Sequence, residues 1–161
     1  MKIFGLALLF SAFLYSGFFI GSRYISALKE IERSGNLLKN IIFCLKKENM
    51  TVSKIFETCS LESDGETKNF ILSLSPKNFD NIEILSAKTN FCKVKSANRI
   101  LQEAFSVLGK YSADEQLSEI EFCRKKLINL YEKSEEPFKS KAKLFRYFGI
   151  LAGAFFVIIF I

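Results

Sequence analysis

Cys44, Cys59, Cys92 and Cys123 are the side chains of this sequence with the widest chemical range, since a thiolate can bind zinc, act as a nucleophile or pair into a disulfide. Each use needs a companion or a spacing that is missing here. No C-x-x-C occurs and the chain has no histidine, so a zinc site would have to gather all four cysteines as isolated residues. An enzyme needs a nucleophile and a base held by a third group, and no such set stands out. Glu135/Glu136 are adjacent and Glu119/Glu121 two apart, so neither pair faces itself on a helix. Asp64 and Asp114 fall at turn or cap positions, and Asp80 in a short helix or loop. There is no G-x-x-x-x-G-K-[ST] and no glycine-rich loop after a strand. The expectation is a non-enzymatic protein without catalytic residues, cofactor or metal. Its cysteines would be reduced and buried, acting as small hydrophobes.

A second spacing concerns packing instead of reaction. Gly17-Phe-Phe-Ile-Gly21 and Gly149-Ile-Leu-Ala-Gly153 are both G-x-x-x-G, the pattern that lets two helices approach closely in lipid. Glycine is common in membrane helices, so one such motif says little. One in each of two apolar segments points to packing between those segments or between subunits.

The elements that must carry these glycines are apolar and long. Residues 3–22 hold no charge, and as a helix rising 1.5 Å per residue they reach about 30 Å, the thickness of a hydrocarbon core. The stretch is too long for the apolar region of a signal peptide, and no A-x-A-like site precedes Arg23. Residues 144–161 give about 27 Å, with Arg146 placed to snorkel to the interface. That run reaches the last residue, which argues against a core helix. The expected organisation is an N-terminal transmembrane helix over 1–22, a helical domain over 23–143 and a C-terminal transmembrane helix over 144–161.

Lysine and arginine near the span ends set the orientation. Arg23, Lys29, Arg33, Lys39, Lys133, Lys139, Lys141, Lys143 and Arg146 flank the middle, against Lys2 outside it. Nine against one predicts a cytoplasmic middle and both termini across the membrane. The basic collars would meet anionic lipid headgroups, each cation contributing about 1 kcal/mol near the surface. Nucleic-acid binding is the rival account of a net charge of +6, but the 23 basic residues are spread among 17 acids, and collars explain them better. No nucleic-acid partner is expected.

The middle reads as helices. Over 25–47 the apolar positions Leu28, Ile31, Leu38, Ile42 and Leu45, completed by Gly35, make one amphipathic face. Thr51 precedes a short helix carrying Val52, Ile55, Phe56 and Cys59. Ser63-Asp64-Gly65 makes a turn, and residues 70–74 a third apolar turn or two ended by Pro76. Residues 82–94 suit a helix end and a loop, or a brief strand. Residues 96–108 form a helix with Ile100, Leu101, Ala104 and Leu108 on one side and Gly109 closing it in the left-handed region. Ser112 and Glu115 form a capping box opening a helix with Ile120, Cys123, Leu127 and Leu130 on its face. Pro137 is expected to kink or break that helix before it runs on into the second span. The class is all-α, an antiparallel helical bundle flanked by two transmembrane helices.

The C-terminal half also resembles a known family. Leu108-Gly109, Gln116, Ile120 and an ungapped helix ending in Phe148-Gly149-x-Leu151-Ala152-Gly153 resemble stage III sporulation protein AB of endospore-forming bacteria. In that family LG-x-x-D-x-x-x-Q precedes the last long helix, and a Leu-Gly-x-x-Ala-Gly stretch opens the final span. Gly109, Gln116, Gly149, Ala152 and Gly153 match in register, as does Gly17 in the first span, and residues 41–59 resemble the first helical hairpin. Ser112 stands where the family tends to have aspartate, and either residue caps a helix. The resemblance implies a protein of the mother-cell membrane around the forespore, whose helical domain is similar to those of the inner-membrane platform protein of type II secretion and type IV pilus systems. It further implies other stage III membrane proteins and a cytoplasmic ATPase as partners in a channel-like complex; membrane lipids are the partners the collars imply, and a second copy of the chain is the alternative partner for the glycine motifs. The competing class is a membrane-anchored sensor or receptor with an extracytoplasmic helical domain. The charge collars oppose it, and disulfide pairing of the cysteines would favour it.

Overall fold

A computed structural model of the chain describes residues 2–47, 51–61, 63, 65–73 and 91–160. Among the described residues five helices follow in order: α1 Lys2–Lys47, α2 Val52–Leu61, α3 Gly65–Ser73, α4 Lys95–Val107 and α5 Ala113–Phe160. No strand occurs among the described residues. Pro76, Asp80 and most of the 82–94 stretch lie outside them, as does Asp64; residues 91–94 are non-helical and lead into α4. The chain divides into two units, one of Glu30–Tyr131 and one of Met1–Lys29 with Glu132–Ile161.

The Glu30–Tyr131 unit has a hydrophobic core to which every helix contributes. α1 supplies Ile31, Leu37, Leu38, Ile41, Ile42 and Cys44; α2 supplies Ile55, Phe56 and Cys59; α3 supplies Ile71. Ala97, Leu101, Ala104 and Phe105 come from α4, Leu108 from the turn after it, and Ile120, Cys123 and Leu127 from α5. Truncating a fully enclosed residue such as Leu38 or Ile41 to alanine costs about 2–5 kcal/mol. Aromatic contacts tie α2, α3 and α4 together: Phe56 meets Phe105 edge-on at 5.8 Å between centroids, and Phe70 lies 4.4 Å from Phe91 and 6.4 Å from Phe105.

Two details of α1 depart from the sequence reading. The apolar face passes through Ser34, fully buried, and not through Gly35, which is half-buried. The face therefore runs Ile31, Ser34, Leu38, Ile41, and it tolerates a serine because Ser34 Oγ donates to the Glu30 carbonyl at 2.8 Å. No atom lies within 4 Å of where a Cβ on Gly35 would stand, so close packing does not explain that glycine. The helix also does not stop after the apolar stretch. Residues 22–25 contain neither glycine nor proline, and Ser22 Oγ donates to the Phe19 carbonyl at 2.8 Å, so the span and the amphipathic segment are one helix.

Pro137 does not break α5, which runs unbroken from Ala113 to Phe160. Proline removes the bond to the carbonyl of Lys133, but both residues are exposed, so water can satisfy that carbonyl. A Lys139–Glu135 pair at 2.6 Å, one turn apart, spans the proline. The 91–94 segment is fastened by buried Asn98, whose Oδ1 accepts from the Cys92 N–H at 2.7 Å and whose Nδ2 donates to the Cys92 carbonyl. Glu30 completes the fastening by accepting from the Lys93 N–H at 2.7 Å.

Gly35→Ala removes a mid-helix glycine and introduces a methyl into open space. It should raise the stability of the full-length chain in chemical denaturation by about 0.5–1 kcal/mol. A loss of stability would mean that α1 bends or packs at Gly35.

Candidate functional site

The two G-x-x-x-G motifs meet each other. In the unit of Met1–Lys29 and Glu132–Ile161, α1 and α5 lie antiparallel: Phe10 is beside Gly153, Gly17 beside Gly149, and Gly21 beside Ala142. Gly17, Gly21, Gly149 and Gly153 are all buried. A Cβ on Gly17 would stand 2.7 Å from the carbonyl oxygen of Phe145 and 3.0 Å from Gly149 Cα. One on Gly149 would stand 2.8 Å from the carbonyl oxygen of Phe13 and 3.1 Å from Gly17 Cα. At this crossing the two main chains touch, and only hydrogen fits between them.

Of the other two glycines, Gly21 also faces main chain and Gly153 faces a ring. A Cβ on Gly21 would come 2.9 Å from the Ala142 carbonyl oxygen, whereas one on Gly153 would meet the Phe10 ring at 2.7 Å. Rings flank the contact. Phe13 stacks on Phe156 at 4.9 Å, and Tyr24 stacks on Phe145 at 5.7 Å and meets Phe138 edge-on at 5.9 Å. Two serine hydroxyls in this part of α1 bond inside the helix: Ser11 Oγ donates to the Ala7 carbonyl and Ser22 Oγ to the Phe19 carbonyl, each at 2.8 Å. Sequence reasoning missed Ala142, which is buried in this unit, and Phe13, and it assigned Leu28, also buried here, to the amphipathic face that follows. The signal was present, since Phe10, Phe13, Gly17, Gly21, Tyr24 and Leu28 recur at 3–4 spacing along α1, as do Ala142, Phe145, Gly149 and Gly153 along α5.

Gly109, Ser112, Glu115 and Gln116 gather at the turn from α4 to α5 in the other unit. Leu108 is extended (φ −62, ψ 125) and Gly109 takes φ +78, a conformation other residues adopt only with strain. A Cβ there would also come 3.3 Å from Val52 Cγ2. The Ser112 N–H donates to Glu115 Oε2 at 3.2 Å, and the Glu115 N–H to Ser112 Oγ at 3.4 Å, a reciprocal box. Gln116 does more than the sequence suggested. Its Oε1 accepts from the Gly109 N–H at 3.1 Å and its Nε2 donates to the Tyr111 carbonyl at 2.6 Å, so one side chain closes the whole turn.

The four cysteines are buried, and none is joined in a disulfide. No group of three or more histidine, cysteine, aspartate or glutamate side chains among the described residues could hold a metal ion. Burial pushes the Cys92 thiol up to about 11, offset by a backbone hydrogen bond at Val94 and reinforced by the Glu30 carboxylate. Cys123 is also raised, first by burial. Both are protonated near neutrality and are poor nucleophiles.

The family model for stage III sporulation protein AB matches residues 2–161, essentially the whole chain. The chain belongs to the stage III sporulation protein AB family. It thereby has a role connected with sporulation. No curated protein and no solved structure matches the chain. Gly17, Gly149 and Gly153, among the residues that carry the family resemblance, are the ones in the seam, and Gly109 and Gln116 are the ones that close the turn.

Two expectations follow. Gly149→Ala places a methyl against a main-chain oxygen, which can only yield by separating the helices, and should destabilise the helix pair by about 1–3 kcal/mol. Gly153→Ala meets only the edge of the Phe10 ring, which can turn aside, and should cost much less; equal effects in detergent-melting experiments would show that the main chains do not touch. The cysteines give the second expectation. The unfolded Cys92 thiol ionises near 9.0 but the folded one holds its proton to about 11, so the unfolded chain binds fewer protons between those values. Stability should therefore fall as pH rises through that window. A chain that is equally stable at pH 8.5 and 10.5 would contradict the burial of this thiol.

Proposed function

We propose that the chain is a non-enzymatic assembly component, held in the mother-cell membrane by residues 1–22 and 144–161 with residues 23–143 in the cytoplasm. It would serve a channel-like complex between mother cell and forespore. The observation that carries the membrane reading is an inverted burial pattern. The α1–α5 pair buries its glycines and turns its large apolar side chains outward: Phe148 is 67% exposed, Leu151 68% and Phe4 73%. Water-soluble helix pairs bury such residues, whereas hydrocarbon solvates them and leaves close packing as the source of association. Both helices are long and apolar enough to cross a membrane.

The orientation rests on the nine lysines and arginines beside the middle of the chain against Lys2. Reduced, buried cysteines suit the cytoplasmic side. An assembly role is supported by family membership and by apolar surface left open on the Glu30–Tyr131 unit, where Phe43, Leu61, Leu72 and Phe122 are exposed. The partners we propose are other stage III sporulation membrane proteins and a cytoplasmic ATPase of the same system.

Topology is the direct test. Lys54 is exposed on α2 and the native cysteines are buried, so Lys54→Cys reports the middle of the chain and Lys2→Cys the N-terminus. In intact protoplasts a membrane-impermeant maleimide should label Lys2→Cys at once and Lys54→Cys only after permeabilisation. The reverse pattern would replace the assembly reading with a receptor whose helical domain lies outside.

A further inference from the structure

Arg146 is held between α1 and α5 without an acceptor for its inner N–H. Gly21 makes the room: a Cβ there would come 3.3 Å from Arg146 Cγ and 3.5 Å from Nε. Phe18 lies against the other side, its ring centroid 5.1 Å from the guanidinium carbon. Arg146 Nε is buried and has no hydrogen-bond partner. No aspartate or glutamate occurs in residues 1–29 or 137–161, so neither strand of this seam offers a carboxylate. A buried donor left unmade is costly, and more so when it is charged. A guanidinium presents parallel donors that match two oxygens of a phosphate.

The surroundings describe the ligand further. Arg23, Lys141 and Lys143 are exposed at the same end of the helix pair, and Lys141 Nζ sits 6.0 Å from the Tyr24 ring centroid. From Tyr147 onward α5 carries no charge, and Phe148 on α5 and Phe18 and Phe19 on α1 are all exposed. A ligand seated on Arg146 therefore meets a field of cations on one side and bare hydrocarbon on the other. That combination fits an acidic head joined to an acyl tail.

We propose that Arg146 binds the headgroup phosphate of an anionic phospholipid at the seam between the two helices. Gly21 and Phe18 position the guanidinium, and Arg23, Lys141 and Lys143 favour a headgroup of net negative charge. This rests on the reading of both helices as membrane spans. It adds a specific lipid site to that reading, at the level where the apolar stretches meet the basic collar.

Native mass spectrometry of the full-length chain in nonionic detergent tests it, with dioleoyl phosphatidylglycerol and dioleoyl phosphatidylcholine titrated in separate arms. Phosphatidylglycerol should be retained by the parent about tenfold better than phosphatidylcholine, and Arg146→Gln should remove that preference. Arg146→Lys keeps the charge without the fork and should restore it only in part, while Lys143→Gln should weaken it slightly. Circular dichroism of each variant separates loss of the site from loss of the helices. A helical Arg146→Gln variant that kept the parent's preference for phosphatidylglycerol would overturn the proposal, and so would displacement of the lipid by millimolar inorganic phosphate, which would mark a site for a free anion. Flotation of the parent chain with phosphatidylcholine vesicles checks the membrane reading on its own, so its failure and the failure of the lipid site are distinguishable.

Discussion

The contact between the main chains at Gly17 and Gly149 is the constraint around which the terminal helices are built. On the proposed membrane reading two helices gain little by hiding apolar side chains, since lipid solvates a leucine as well as a neighbouring helix does. Association must come from fit. A glycine on each helix brings the Phe145 and Phe13 carbonyls against the opposite backbone, and that one crossing fixes the antiparallel register. Register then decides what lies beside it: which rings stack at Phe13–Phe156 and Tyr24–Phe145, that the Ala142 carbonyl faces Gly21, and where Arg146 lies.

The Glu30–Tyr131 unit obeys the opposite rule. There the hydrophobic effect in water selects Ile31, Leu38, Ile41, Leu101 and Leu127 for the interior. Its ion pairs, such as Lys46–Glu121 at 2.7 Å and Lys126–Glu103 at 2.7 Å, are exposed and contribute little each. The cysteines belong to this core as packing residues, and their raised pKa values are a consequence of burial. One helix, α1, therefore carries two codes in succession. Up to residue 22 Gly17 and Gly21 are buried while Phe4, Leu8, Phe18 and Phe19 are exposed; from Leu28 on large apolar residues are buried and Glu32, Lys39 and Lys46 face solvent.

Much of this was legible in the residues themselves. Ser112 and Glu115 announce the start of α5 because a capping box is local, needing only four residues to agree. Gly109 announces its positive φ for the same reason. Helices with strong 3-4 periodicity were legible because periodicity is repeated evidence for one face. What failed to read out depended on context. Pro137 implies a break only if its freed carbonyl has no partner, and exposure of Lys133 to water removes that condition. Ser34 displaced Gly35 on the buried face because a serine hydroxyl can satisfy itself on its own helix, which hydrophobicity alone does not register. The orphaned Arg146 Nε needs three residues from two distant parts of the chain, and no single segment contains them.

The central claim is that the glycine seam joins two helices of the same chain. The double variant Phe13→Cys, Phe156→Cys tests it most directly, since those two rings stack at 4.9 Å across the seam while the native cysteines are buried. After mild oxidation in native membranes, denaturing electrophoresis and peptide mapping should find the 13–156 disulfide within a monomer-sized species. Cross-links found only in species of twice the mass would place the seam between subunits and contradict the account.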